Sequence, residues 1–227
     1  MDYRFETGLD ALRQKLLTMA SHAETAVNQA LKALTQRDLQ LALRVKEDDN
    51  IIDQFEVEID DLVIQLLTKA PLASNLRLVT VAMKISQNLE RVGDEASKIA
   101  KRARDLSQEP PIKLNIDLPK MARMALDMLK SALDAFVSGD SVAARAVIPR
   151  DKEVDAMNKQ IHEILAQHMV NNPDAIGRCL NWMVACKSLE RIADHAKNMA
   201  EEVVYLYEAQ DIRHGGAKSQ AATPAGA

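Results

Sequence analysis

One stretch of this sequence is written twice. Residues 189–200 read Leu-Glu-Arg-Ile-Ala-Asp-His-Ala-Lys-Asn-Met-Ala, and residues 89–100 read Leu-Glu-Arg-Val-Gly-Asp-Glu-Ala-Ser-Lys-Ile-Ala. Identical residues fall at Leu89/Leu189, Glu90/Glu190, Arg91/Arg191, Asp94/Asp194, Ala96/Ala196 and Ala100/Ala200. A repeat at this distance fixes architecture before any local assignment, because each copy must form the same supersecondary unit. The match extends upstream through Asp38/Asp140, Val45/Val147, Asp53/Asp155 and Ile59/Ile161. The chain is therefore one module used twice.

The module is helical. Apolar residues at Leu9, Leu12, Leu16, Met19, Ala23, Ala26, Ala30 and Leu34 alternate spacings of three and four, the stripe of a bundle helix. A second stripe runs through Leu41, Val45, Asp48, Ile52, Phe55, Ile59, Leu62 and Leu66, with Asp48 interrupting it. Pro71 breaks the chain, and a third helix is predicted from about Leu76 to Leu106. The second half repeats this order: one helix opening at Asp117, one unbroken helix following Asp140 with Arg150 on its stripe, and one ending near Glu208. Asp38, Asp117 and Asp140 are placed to cap helices, and Asn171 to Asp174 to break and cap the last. The expected fold is all-α: two tandem pseudo-symmetric three-helix bundles, with six long helices. The expected divisions are residues 1–108, a linker at 109–116, residues 117–210, and a flexible tail at 211–227.

Composition narrows the function classes. Aromatic residues are 3% of the chain and the formal net charge is −4, so a base-stacking or phosphate-backbone surface is not expected. Cys179 and Cys186 lie two turns apart on one predicted helix, too far to pair with each other. Reduced thiols and a cytoplasmic location fit that pattern. The sequence has no apolar run long enough to span a bilayer.

Candidate chemistry lies in paired acids. Carboxylates at i and i+4 share a helix face and repel each other. Four such pairs occupy matched places: Asp49/Asp53 and Glu90/Asp94, then Asp151/Asp155 and Glu190/Asp194. Each borders a core stripe, so the pairs on neighbouring helices converge on one seam per half. Converging carboxylates offer hard oxygen ligands for a metal ion, and His195 adds a nitrogen donor to the second copy. A single acidic pair is usually just a solvated helix face; recurrence at matched places brings metal binding level with that reading. Arg91 and Arg191 are candidates for ion pairs or partner contacts. Glu-x-x-His, a P-loop, a nucleotide-binding glycine turn, a nucleophile elbow and Cys-x-x-Cys are all lacking, so the expectation is a protein without catalysis of its own.

The doubled Glu-Arg-(Val/Ile)-x-Asp motif and the matched acidic pairs on the preceding helices resemble the PhoU family of phosphate-specific transport system accessory proteins. Leu76-Arg77 and the ending Asp211-Ile-Arg-His214 add to the resemblance. It implies two three-helix bundles, often dimeric. It implies a negative regulator of the phosphate-starvation response, an adaptor between the ATPase subunit of a phosphate ABC transporter and a sensor histidine kinase. On that reading the protein meets the membrane only through its partners and binds no nucleic acid. It also implies metal (iron, Mg, Mn or Zn) at Asp49, Asp53, Glu90, Asp94, Asp151, Asp155, Glu190, Asp194 and His195. The sequence departs from the family pattern at Glu95 and Lys98, where the second copy has His195 and Asn198, so the second copy is the stronger metal candidate. The alternative is a metal-binding or metal-storage carboxylate bundle.

Overall fold

The computed structural model describes residues 3–68, 73–113 and 116–213. Among them every regular element is helical. The first bundle is α1 (Tyr3–Gln36), α2 (Leu39–Leu67) and α3 (Ala73–Ser107). The second is α4 (Leu118–Ser138), α5 (Ser141–Val147), α6 (Asp151–Asn171) and α7 (Ile176–Glu208). The all-α paired-bundle architecture expected from the repeat is what forms.

The first turn of each bundle shows how the duplicated sequence reproduces local structure. Asp38 and Asp140 donate backbone N–H groups at 3.0 Å to Ala33 and Ala135. Their carboxylates then cap the next helix, Asp38 accepting from Leu41 and Asp140 from Val142 and Ala143. Each cap is worth about 1 kcal/mol. The residue before each cap is left-handed: Gly139 at φ 74° and Arg37 at φ 57°. Glycine enters that region freely, whereas an L side chain gives up about 1–2 kcal/mol there. Arg37 has offsetting contacts, because its guanidinium donates to the carbonyls of Ser107 and Glu109 at the end of α3. Arg178 donates to the carbonyl of Pro110 at 3.0 Å, so the segment joining the bundles is tied to both.

α3 and α7 are the central helices. Leu89, Val92, Ala96 and Ile99 on α3 are fully buried, as are Leu189, Ile192, Ala196 and Met199 on α7. The two helices also cross-link the bundles. Lys84 reaches Glu202, Asn88 meets His195, Arg191 meets Glu95, and Arg102 meets Asn181. Residue numbers rise on one helix as they fall on the other, so the pair is antiparallel about a pseudo-twofold axis.

Four details differ from the sequence reading. The helix expected to run unbroken after Asp140 is divided by a 3-10 turn, Ile148–Arg150, whose Pro149 lacks the donor a continuous helix requires. Arg150 leaves the core stripe there and donates to Ser131 Oγ at 3.2 Å. Asp48 is exposed, so it does not enter the core stripe that it interrupts in sequence. Asp174 does not cap α7, which starts from a short turn over Pro173–Ala175 without a side-chain cap. Of the segment expected as a flexible tail, Asp211 and Arg213 are anchored, Arg213 to both Asp211 and Glu202. Residues from 214 onward lie outside the described ones. No helix among the described residues is long and apolar enough to cross a membrane.

Candidate functional site

α2 and α3 approach closely at Gly93. A Cβ there would lie 2.8 Å from Ile52 Cδ1 and 3.2 Å from Asp49 Oδ1. The missing side chain leaves a notch into which Asp49 fits, on the stripe that Val45 and Ile52 bury above and below it. Asp53 and Glu56 follow on α2, with Glu90 and Asp94 facing them from α3. Burial raises the Asp49 carboxyl above the ordinary aspartate range; Asp53 and Asp94 push the same way, against Ser97 and Lys98. Glu90 is raised by burial and by Asp94, against Arg91, with Glu56 and Asp53 also contributing. Glu56 is raised by burial and then by Asp60 and Asp53. The four expected carboxylates thus lie near enough to feel one another's charge across α2 and α3, with Glu56 among them. A polar cavity of about 350 Å³ opens beside them, lined by Glu56, Gln87, Asn88, Glu90 and Arg91. Arg91 sits at the rim, 3.4 Å from Glu90 and 3.8 Å from Asp94.

The second cluster sits where α6 begins against α7. Asp151 is 4% exposed. Lys197 Nζ lies 2.7 Å from its Oδ2 and 3.8 Å from Asp194 Oδ1. Asp151 Oδ1 is buried without a hydrogen-bond partner. Burial raises Asp155, helped by Asp151 and Glu190, and burial raises Asp194, helped by the same two acids. Lys187 donates to Glu190 at 2.6 Å. A cavity of about 360 Å³ adjoins, lined by Arg145, Pro149, Asp151, Lys152, Lys197 and Ile212, among others.

His195 does not join this cluster. Its Nδ1 lies 3.0 Å from Asn88 Oδ1, so the ring turns across to α3. Burial holds its pKa below the ordinary histidine value; Arg91, Lys98 and Arg191 add to that, against Glu95. Glu95, at the matched position, is likewise turned to the inter-bundle seam. It binds Lys98 at 2.9 Å and Arg191 at 3.3 Å. Burial works to raise this carboxyl, but hydrogen bonds from Lys98 and Ser188, with the charges of Lys98 and Arg191, hold it below the ordinary glutamate range. Arg91 and Arg191 thus have different uses: one neutralises acids on its own helix, the other joins the bundles.

The donor chemistry of both clusters suits a hard divalent cation, because carboxylate oxygens dominate; burial first, and the acids' mutual repulsion second, raise their pKa values. The Gly93 notch and the orphaned Asp151 oxygen are consistent with that use. In this conformation no three His, Cys, Asp or Glu side chains among the described residues gather round a point that would hold an ion.

A family model described as the PhoU domain matches the chain twice, at residues 16–103 and 118–203. The chain belongs to the PhoU family. Among its relatives, a phosphate-specific transport system accessory protein PhoU homolog from Pseudomonas aeruginosa is 40% identical, over 94% of this chain and 89% of that protein. The PhoU accessory protein of Escherichia coli is 33% identical over 94% of this chain and 89% of its own length. A crystal structure of PhoU from Pseudomonas aeruginosa superimposes with a TM-score of 0.87, covering 90% of this chain and 99% of that one at 40% identity. The phosphate transport system regulatory protein PhoU from Streptococcus pneumoniae gives 0.85, at 27% identity over 92% of this chain and 99% of its own.

Within this PhoU-family frame, sequence reasoning missed Glu56, Asn88, Ser97 and Lys197, and it noted Glu95 only as a departure from the family pattern. The comparison of the two halves held the signal for Ser97 and Lys197. At the offset that sets Glu90 against Glu190, Ser97 stands against Lys197.

Proposed function

We propose that this chain is a negative regulator of the phosphate-starvation response. It acts in the cytoplasm as a homodimeric adaptor, without catalysis of its own. Its partners are the ATPase subunit of a phosphate ABC transporter and a sensor histidine kinase, and its engagement restrains phosphate uptake and kinase signalling. The observation that carries this reading is the near full-length match, in both halves, to relatives named as accessory or regulatory proteins of phosphate transport. The absence of any enzyme motif from the sequence agrees with it. A divalent cation held by carboxylates completes the proposal. Asp49, Asp53, Glu56, Glu90 and Asp94 would bind it in the first bundle; Asp151, Asp155, Glu190 and Asp194 form the matched set in the second, where Lys197 already stands 2.7 Å from Asp151. Bound there, it would neutralise carboxylates that otherwise repel across two helices.

Affinity capture from host membranes grown at high and low phosphate tests the adaptor role. The expected result is recovery of the kinase and the transporter ATPase, with recovery changing between the two conditions. Recovery of neither partner at either concentration would overturn it.

A further inference from the structure

We infer that Lys197 is a built-in counter-cation that closes the second acidic cluster to metal, leaving the first as the chain's divalent-cation site. The inference deepens the metal reading above and rests on it. The two clusters have the same four acids at matched positions, Asp49/Asp151, Asp53/Asp155, Glu90/Glu190 and Asp94/Asp194. They differ in what faces the first acid. In the first bundle it is Ser97, a neutral hydroxyl beside Asp49. The neighbouring ammonium, Lys98, is drawn off to Glu95 at 2.9 Å, on the seam with α7. In the second bundle the Ser97 position is Lys197, and its ammonium stands 2.7 Å from Asp151 and 3.8 Å from Asp194.

That ammonium bridges α6 and α7 where an ion shared by their carboxylates would bridge them. A metal ion entering there must first displace a charge-assisted hydrogen bond from an acid that is 4% exposed. One ammonium also satisfies the acid incompletely: Asp151 Oδ1 remains buried and unpartnered, the oxygen a chelated ion would take. The site is built for a cation, and the chain supplies one. In the first cluster the resident cation, Arg91, stands at the rim, 3.4 Å from Glu90 and 3.8 Å from Asp94, and among the described residues no ammonium or guanidinium pairs with Asp49, whose carboxylate lies against Gly93. This reverses the expectation from sequence, which favoured the second copy for His195 and Asn198. His195 faces Asn88 instead.

The test is Mn²⁺ titration of the chelator-stripped full chain, read by electron paramagnetic resonance and calorimetry, with circular dichroism confirming the fold of each variant. The wild type is expected to bind Mn²⁺ and to lose that binding in Asp49→Asn/Asp53→Asn. Lys197→Ser, which copies the first bundle, is expected to gain a second set of bound ions. The reciprocal Ser97→Lys is expected to weaken the first site by about tenfold or more. Wild-type binding that survives Asp49→Asn/Asp53→Asn but is lost in Asp151→Asn/Asp155→Asn would overturn the role of Lys197 and leave the metal reading intact. No binding by either wild type or Lys197→Ser would overturn the metal reading itself.

Discussion

The contact between Arg191 and Glu95 is the most informative single perturbation of the junction between bundles. Glu95 is 4% exposed, and its carboxylate is shared by Lys98 at 2.9 Å and Arg191 at 3.3 Å. Arg191→Ala removes one of two cationic partners and leaves the other. A hydrogen bond to a charged group contributes about 1.5–3 kcal/mol. The 3.3 Å separation is long for such a bond, and the Arg191 side chain is 51% exposed, so solvent screens it. The expected cost is therefore near the bottom of that range, about 1–1.5 kcal/mol. For a protein of this size that lowers Tm by about 2–6 °C. A double-mutant cycle with Glu95→Gln should return a coupling of about 1 kcal/mol by urea titration. The pH dependence has a definite sign. Glu95 has a lowered folded pKa, so its contribution is present above the ordinary glutamate value and is lost as pH falls through the folded value. The coupling should hold at about pH 7 and vanish near about pH 3. A coupling below about 0.3 kcal/mol at neutral pH would refute the claim that this pair joins the bundles.

Two further outcomes follow from the same structure. The raised pKa values of Asp49, Glu56, Glu90, Asp155 and Asp194 mean that the folded state binds protons more tightly than the unfolded state. Stability in chelator should therefore rise as pH falls from neutrality toward the ordinary carboxylate range, about 4–4.5, and Asp53→Asn/Asp94→Asn should flatten that rise; a calorimetric Tm that falls throughout that interval would contradict it. Cys179 and Cys186 are both free and buried, and burial raises both thiols, Cys186 to about 12. Neither should react promptly with a disulfide thiol reagent in the native protein, and both should react in denaturant; prompt native labelling would show that the α7 core opens.

The fold was largely legible because its determinants are local and occur twice. The stripe of α1, the caps at Asp38, Asp117 and Asp140, and the repeat of Glu90 and Asp94 at Glu190 and Asp194 are each read over a few residues. What escaped depended on how a side chain leaves its helix. Asp48 and Asp49 are adjacent in sequence, yet one faces solvent and the other fits against Gly93. His195 and Asp194 are adjacent too, but the α3–α7 packing draws the imidazole toward Asn88, away from the acids it resembles a ligand for. The break at Pro149 was visible as a residue, but a continuous apolar stripe argued against it. Lys197 carries no signal within its own helix; its role comes from the start of α6, which places Asp151 beside it.

The proposed role of this chain is to hold the phosphate-starvation response off when phosphate is plentiful. Its most direct test is a phosphate-responsive promoter fused to a reporter, measured in the chain's own host with its gene deleted, in phosphate-replete medium. The account predicts that the reporter is expressed in the deletion strain and is silenced again by a plasmid-borne copy. A reporter that stays repressed in the deletion strain would contradict it.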